Sequence, residues 1–99
     1  MPKGYAILTE EFVDPDGMRE YERASTRALV VGGAKVLAVD TRPKVLEGQW
    51  HGTRTVVLEF ESPDAAQAWY DSPEYRQALP LRLAAARSNA VILTGFDPR

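Results

Sequence analysis

The chain has 99 residues, a length that fits one domain with one thin core, so that burial against a second copy would add stability. Hydrophobic residues make up 44% and charged residues 26% with a net charge of −2, which excludes a disordered tail and disfavours a nucleic-acid partner. The absence of cysteine excludes disulfides, thiolate catalysis and thiolate metal sites.

The first half of the chain predicts a strand, a helix and a second strand. β-Branched and aromatic residues favour the first strand over residues 4–13. In the segment DPDG, Asp14 suits the N-cap of a helix and Pro15 suits its first position. The glycine pair at 32–33 ends that helix, because glycine accepts the left-handed conformation, and residues 34–41 form the second strand.

The second half predicts two more strands around a divided helix. The clearest strand of the chain is TRTVVLEFE, residues 53–61. SPD at 62–64 and SPEY at 72–75 each offer a serine N-cap followed by proline, so the helix should break and restart. Pro80 should kink the second piece or end a turn, and NAVILTGF at 89–96 is the fourth strand.

The order β-α-β-β-α-β predicts a ferredoxin-like α+β fold: a four-stranded antiparallel sheet with two helices on one face, in a single domain over residues 1–99. The helices can cover only one face, yet the other is half apolar, because alternation is expected to place Tyr5, Ile7, Val57 and Ile92 there. A homodimer joined through the sheet faces would bury that surface.

Residues 42–53 are long for a bare hairpin turn. PKVLEG has strand character and precedes the turn GQWHG, so this segment is predicted to form an arm of the hairpin that extends beyond the sheet. Its predicted use is contact with the partner subunit.

Several stretches resemble, in the same order, the family known as domain of unknown function 1330, within the dimeric α/β-barrel superfamily. They are KGY (3–5), DPDGMREY (14–21), GGAKVL (32–37), VLEGQW (45–50), RTVVLEFES (54–62), AWYDSPEY (68–75) and PLR (80–82). The resemblance implies a ferredoxin-like fold that dimerises sheet to sheet, with no assigned activity. Relatives in the superfamily include small monooxygenases that need no bound cofactor, haem proteins similar to chlorite dismutase, and stress-response proteins.

Arg54 is the first candidate binding residue, because an arginine beside an apolar face can clamp a carboxylate or enolate in bidentate fashion. The alternative is a salt bridge to an acidic neighbour, Glu47 or Glu59. If Arg54 anchors an anionic ligand, Tyr75 and Arg82 should approach that ligand from the second helix, since a spacing of seven residues puts them on one helical face.

The turn GQWHG holds two further candidates. His51 is the chain's one histidine and could act as a general base on an acidic phenol or enol, or it could be an exposed turn residue. It would reach a ligand only if the turn folds back over the cavity mouth. Trp50 could close a pocket, contact the second subunit, or cover the base of the hairpin.

Glu59 is the last candidate, since a carboxylate in a half-buried strand is costly unless paired. It either pairs with an arginine across the dimer or lies in a polar cavity. One histidine without cysteine predicts no metal site, and no cofactor is expected. Ser72 is better explained as an N-cap than as a nucleophile. Met18, Tyr21 and Trp69 are expected in the core.

Two function classes stay open, and with them whether the protein is an enzyme. One is a small dimeric protein that binds a small acidic organic ligand. The other is a small enzyme, similar to cofactor-free monooxygenases, that abstracts a proton in a cavity between sheet and helices. No apolar run approaches the roughly 20 residues that span a bilayer, and the start lacks a signal-peptide layout. A cytoplasmic location with no membrane partner is therefore expected.

Overall fold

Four strands and three helices make up the computed structural model, which describes residues 2–97. In chain order they are β1 (Gly4–Phe12), α1 (Pro15–Val31), β2 (Lys35–Asp40), β3 (Arg54–Phe60), α2 (Pro63–Asp71), α3 (Pro73–Ala85) and β4 (Ala86–Thr94). The strands form one antiparallel sheet in the order β2-β3-β1-β4. The predicted ferredoxin-like α+β fold is confirmed. Within the described range, no helix is long and apolar enough to cross a membrane.

The end of α1 follows from its glycine pair. Gly33 takes the left-handed conformation, with φ at +71°. Its N–H donates to the Val30 carbonyl at 3.2 Å, and the N–H of Ala34 donates to the Leu29 carbonyl at 2.9 Å. These two bonds form a Schellman motif, so the predicted helix stop is confirmed. At the other end Asp14 is the N-cap, but its side chain makes no capping hydrogen bond.

Ser72 divides the second helical segment, as predicted. Its hydroxyl donates to the Trp69 carbonyl at 2.8 Å and accepts from the Tyr75 N–H at 3.1 Å. One side chain therefore ends α2 and begins α3. Ser62 caps the start of α2 by accepting from the Ala65 N–H at 3.0 Å. Helix α3 continues through Pro80 to its end, so the alternative that this proline ends a turn is wrong.

Strand register decides which residues face the helices. Ala6 lies directly opposite Leu58 in β3 and Ile92 in β4, so these three side chains share the helix-covered face. The prediction that Ile92 lies on the open face is wrong. It placed β4 one residue out of register with β1, and a shift of one residue exchanges the two faces of a strand. Val91 and Leu93 occupy the open face instead, 50% and 49% exposed. Its apolar members include Tyr5, Ile7, Val57, Val91 and Leu93.

The core lies between the helices and the covered face of the sheet. Met18, Tyr21 and Trp69 are buried there, as expected from the sequence. The Trp69 ring packs against Phe60 and Tyr75, with ring centroids 5.3 and 4.4 Å away. These aromatic contacts fix the position of α2 on the sheet.

Residues 41–53 connect β2 to β3 along the surface and contain no strand, so the strand character predicted for PKVLEG is wrong. The Asp40 side chain accepts a hydrogen bond from the Arg42 N–H at 2.7 Å, which turns the chain out of the sheet. Pro43 then removes a backbone donor that a strand would need. Leu46 is 81% exposed in this loop. Contact between the loop and a partner subunit stays a prediction.

Ser72→Ala should lower the free energy of unfolding by about 1–2 kcal/mol, because it removes both hydrogen bonds at the junction of α2 and α3. Ser62→Ala is the matched control, since Ser62 makes only the capping bond and should cost less. Thermal unfolding of both variants measures the difference. A Ser72→Ala melting temperature equal to that of Ser62→Ala would contradict the double role of Ser72.

Candidate ligand-binding site

Glu10 is a carboxylate buried in the central strand β1, with 1% of the residue exposed. Its Oε1 accepts a hydrogen bond from Arg54 Nε at 2.7 Å. Its Oε2 is buried and has no hydrogen-bond partner within residues 2–97. A buried carboxylate oxygen without a donor is costly, so this atom is a candidate acceptor for a donor from outside the chain.

Sequence reasoning did not single out Glu10. The residue belongs to the pair Glu10 and Glu11, and composition does not say which of two adjacent glutamates turns inward. The signal was alternation, because Ala6, Leu8 and Glu10 follow one another on the same face of β1. Glu11 lies on the open face and is exposed.

Arg54 holds Glu10 in place and joins it to α1. Its Nε donates to Glu10, and its Nη1 donates to a carboxylate oxygen of Glu22. Burial alone would lower the pKa of Arg54, but the hydrogen bonds to Glu22 and Glu10 outweigh it and hold the pKa above the ordinary value. The guanidinium also lies over the Phe12 ring, 4.9 Å from its centroid. Arg54 is therefore a paired cation that positions Glu10.

Arg54 forms salt bridges, as the alternative predicted, but the acidic partners predicted for it, Glu47 and Glu59, are wrong. Strand pairing puts Glu10 directly opposite Arg54, on the covered face of the sheet. Glu59 lies five residues further along β3, on the other face, and Glu47 lies in the exposed loop. The observed partners are Glu10 from a neighbouring strand and Glu22 from α1. The sequence around Arg54 does not reveal contacts with such distant residues.

Gly52 lets the loop approach Glu10. Its φ is +83°, and a Cβ atom on this residue would lie 2.7 Å from the carbonyl oxygen of Glu10. The next residue, Thr53, donates its backbone N–H to that carbonyl at 2.8 Å. Glycine is required here for both conformation and space, and the contact fixes the start of β3 beside Glu10.

Tyr75 and Arg82 lie on one face of α3, as predicted, and form a second buried group. Arg82 Nε donates to the Tyr75 hydroxyl at 3.2 Å, and its Nη1 donates to Ser88 Oγ. The hydroxyls of Tyr75 and Tyr21 are hydrogen-bonded at 2.8 Å. Burial raises the pKa of Tyr21 strongly and Tyr75 adds to the shift, so the Tyr21 phenol stays protonated.

The two groups are electrostatically connected. Burial would lower the pKa of Arg82, but Tyr75, Tyr21 and the charge of Glu10 together hold it above the ordinary value. Glu10 with Arg54 and Tyr75 with Arg82 thus form two halves of one buried polar region, and of these four residues only Glu10 and Arg54 line the cavity beside α1.

A cavity of about 230 Å³ adjoins Glu10, between α1 and the sheet. The polar residues of its wall are Glu10, Tyr21, Glu22, Ser25, Thr26 and Arg54. Most of the remaining wall is apolar and is formed by Leu8, Leu29, Val36, Val39, Val56, Leu58 and Trp69. An apolar cavity of about 150 Å³ holds benzene in another protein, so this one has room for one or two small rings.

Trp50 and His51 lie away from this cavity. Trp50 Nε1 donates to Thr55 Oγ1 at 2.8 Å, and His51 Nδ1 shares a hydrogen bond with Thr9 Oγ1 at 2.9 Å. Thr9 and Thr55 oppose each other on the open face of the sheet. The turn therefore folds onto the open face and leaves the cavity mouth uncovered.

Glu59 also lies on the open face. The hydroxyl of Tyr5, directly opposite in β1, donates to its carboxylate at 3.1 Å. This hydrogen bond raises the pKa of Tyr5. The structure thus separates Glu59 from the cavity, and a pairing with an arginine across a dimer stays a prediction.

Comparison with known families matches residues 3–96 to the model of a domain of unknown function, DUF1330. The chain belongs to the DUF1330 family. This confirms the resemblance seen in the sequence, and it assigns no activity. No curated protein matches this DUF1330 chain.

Solved structures with the same fold include proteins of unknown function and an oxygenase. A protein of unknown function from Rhodopseudomonas palustris has a TM-score of 0.75 at 22% identity, over 98% of this chain and 85% of that one. A dimeric ferredoxin-like protein of unknown function from Thermobifida fusca has a TM-score of 0.65 at 19% identity, over 94% of this chain and 91% of that one. SnoaB, a cofactor-independent oxygenase from Streptomyces nogalater, has a TM-score of 0.63 at 10% identity, over 99% of this chain and 97% of that one. Likeness at these identities shows the fold alone.

Arg54→Ala should lower the free energy of unfolding by about 3–5 kcal/mol, because it leaves the buried carboxylate of Glu10 unpaired. Adding Glu10→Gln should restore part of that loss, since the unpaired charge is then gone. Urea denaturation of the single and double variants measures both effects.

The matched control is Arg87→Ala, which removes an exposed pair with Glu11 at 3.5 Å. It should cost less than about 1 kcal/mol. Equal losses for the two arginines would mean that the buried pair is worth no more than an exposed one. A large loss for Arg54→Ala without recovery in the double variant would mean that Arg54 stabilises the fold through packing and not through its pairing with Glu10.

Proposed function

We propose that this protein binds a small, largely apolar organic molecule with a weakly acidic hydroxyl group, such as a phenol or an enol, in the cavity between α1 and the sheet. The observation that carries the proposal is Glu10, a residue of the cavity wall whose buried Oε2 has no hydrogen-bond donor among residues 2–97. The ligand hydroxyl supplies that donor, in a charge-assisted bond that is stronger than one between neutral groups.

The charges at the cavity argue against a carboxylate ligand held by Arg54. The guanidinium already donates to Glu10 and Glu22, so a third carboxylate would meet two negative charges beside one engaged positive charge. A neutral hydroxyl avoids that repulsion and uses the acceptor that is free. Arg54 takes part by holding the Glu10 carboxylate in one orientation.

The apolar wall supports the rest of the ligand. Leu8, Val56 and Leu58 come from neighbouring strands, and Leu29 faces them from α1. Burying the rings of a small aromatic compound against these side chains supplies non-directional affinity, while the single hydroxyl contact gives orientation.

Proton abstraction is a second candidate function, with Glu10 as the general base. A carboxylate that accepts a hydrogen bond from a phenol or enol is also positioned to take its proton, which would be the first step of a cofactor-free oxygenation. SnoaB, which shares the fold, is a cofactor-independent oxygenase, so this fold is compatible with such a reaction. Oxygen uptake during incubation with electron-rich bicyclic phenols separates it from binding alone.

Glu10→Gln should weaken phenol binding about tenfold or more, because the amide oxygen stays with Arg54 and its NH₂ group faces the ligand hydroxyl. The measurement is a thermal-shift titration with bicyclic phenols, their methyl ethers and the matching carboxylic acids. Wild-type protein should respond to the phenols only.

Glu11→Gln is the matched control, since Glu11 is the exposed neighbour on the opposite face, and it should bind as wild type does. Three results would each refute the proposal: no shift with any phenol, an equal shift with the methyl ethers, or full binding by Glu10→Gln. If the carboxylic acids raise the melting temperature of the wild type but not that of Arg54→Ala, Arg54 binds an anionic ligand after all.

We also propose that two copies associate through their open sheet faces. That face presents Ile7 and Val57 at its centre, with half-exposed Val91 and Leu93 beside them. Trp50, 52% exposed, stands on the same face and would extend the contact. Apolar side chains in this arrangement are normally covered, and an isologous contact covers both copies at once.

Light scattering at micromolar concentration should return twice the chain mass of 11.0 kDa, from an interface on the order of 1,600 Å² in total. Val91→Glu should shift the protein toward monomer, because it buries an unpaired charge on each side of the contact. Val30→Glu is the control, since Val30 is 76% exposed on α1, away from the sheet. A wild-type particle of one chain mass would end the proposal.

A further inference from the structure

Trp69 carries the second unsatisfied polar atom of the described core. The residue is 3% exposed, and its indole Nε1 is buried without a hydrogen-bond partner in residues 2–97. An indole N–H can only donate, so it needs an acceptor. Its ring is held against Phe60, Tyr70 and Tyr75, at centroid distances of 5.3, 6.1 and 4.4 Å. Rotation of the ring to seek an acceptor elsewhere would break these contacts.

Glu10 and Trp69 line the same cavity, and each carries a buried polar atom without a partner among residues 2–97. Trp69 lines the cavity beside Glu10, and with Leu8 it also lines a second cavity of about 270 Å³ on the β4 side of the sheet. A buried tryptophan N–H normally has a partner, as does a buried carboxylate oxygen. One molecule with both kinds of group would satisfy the two atoms together.

We infer that the cavity ligand carries a carbonyl oxygen in addition to its hydroxyl group, and that Trp69 Nε1–H donates to this carbonyl. The ligand class is then a hydroxy-ketone, or an enol conjugated to a ketone, on a skeleton of one or two rings. This inference rests on the proposed function, which assigns the hydroxyl to Glu10. Trp69 becomes the residue that distinguishes hydroxy-ketones from simple phenols.

Charge and chemistry favour a neutral carbonyl over other acceptors. A carboxylate or phosphate acceptor would be repelled by Glu10 and Glu22, which share the cavity wall. Conjugation to a carbonyl also makes a phenol or enol hydroxyl more acidic, and hence a stronger donor to the Glu10 carboxylate. The two contacts therefore reinforce each other in one conjugated molecule.

The test uses three two-ring compounds of nearly equal size. A hydroxytetralone has both groups, a tetrahydronaphthol has the hydroxyl only, and tetralone has the carbonyl only. Hydroxytetralones with the hydroxyl at each aromatic position are included, so that one of them matches the fixed separation between Glu10 and Trp69. The best hydroxytetralone should bind about tenfold more tightly than the tetrahydronaphthol of the same hydroxyl position.

Trp69→Phe should remove that tenfold preference, because it deletes the donor and keeps an aromatic ring in place. Trp50→Phe is the matched control: its indole bonds Thr55 on the open face, and the preference should persist. Glu10→Gln should weaken both hydroxylated compounds alike, which separates the hydroxyl contact from the carbonyl contact.

A second readout does not depend on the folding of Trp69→Phe. Wild-type protein labelled with ¹⁵N gives one indole signal for each of its two tryptophans, and Trp50→Phe assigns them. The Trp69 signal should move further downfield with the hydroxytetralone than with the tetrahydronaphthol, whose ring current alone shifts it. If phenols bind through Glu10 but the carbonyl adds neither affinity nor a further downfield shift of the Trp69 signal, the inference is wrong and the proposed function stands. If none of the compounds binds, both are wrong.

Discussion

The ion pair between Glu10 and Arg54 fixes the geometry on which the buried polar region depends. The two residues oppose each other across β1 and β3, and the bond from Arg54 to Glu22 links this pair to α1. Buried ion pairs contribute little net stability compared with apolar side chains of the same size. A pair that also leaves one carboxylate oxygen unsatisfied is more costly still. This unsatisfied oxygen in the middle of a small domain is the basis of the proposed contact with a ligand hydroxyl.

The cavity follows from the residues that α1 turns toward the sheet. Of the α1 residues that line it, Tyr21 and Ser25 are buried and Leu29 is half-buried, whereas Glu22 and Thr26 are exposed. The hydroxyls of Ser25 and Thr26 both donate to the backbone carbonyl of Glu22. Their hydrogen bonds are therefore made within α1, and these short side chains do not extend to the strands. Short side chains above a sheet leave space, whereas leucines at the same positions would fill it. One turn of α1 thus supplies Glu22 to Arg54 and also leaves the space of the cavity.

The sequence was informative where structure is local and much less so where it depends on strand pairing. The serine caps and the glycine stop after α1 follow from residues within one helical turn, and they were predictable. The face of Ile92 depends on register with β1, and the partner of Arg54 depends on a strand more than forty positions away. Alternation along a strand assigns its residues to two faces, but it does not show which face the helices cover. Glu10 was overlooked for the same reason, since one of two adjacent glutamates must point inward.

Gly52 provides a way to sort the DUF1330 family. Any side chain at this position would press on the backbone of Glu10, and the approach of the loop to β1 exists only because the side chain is missing. An acidic residue at the position of Glu10, an arginine at that of Arg54 and a glycine two places before it form a three-residue signature that can be read from sequence alone. Family members that carry the signature should share the buried acid and its cavity, whatever their loops look like. Members that lack the acid but keep the fold would be scaffolds for a different chemistry, and assigning them one common role would group unlike proteins.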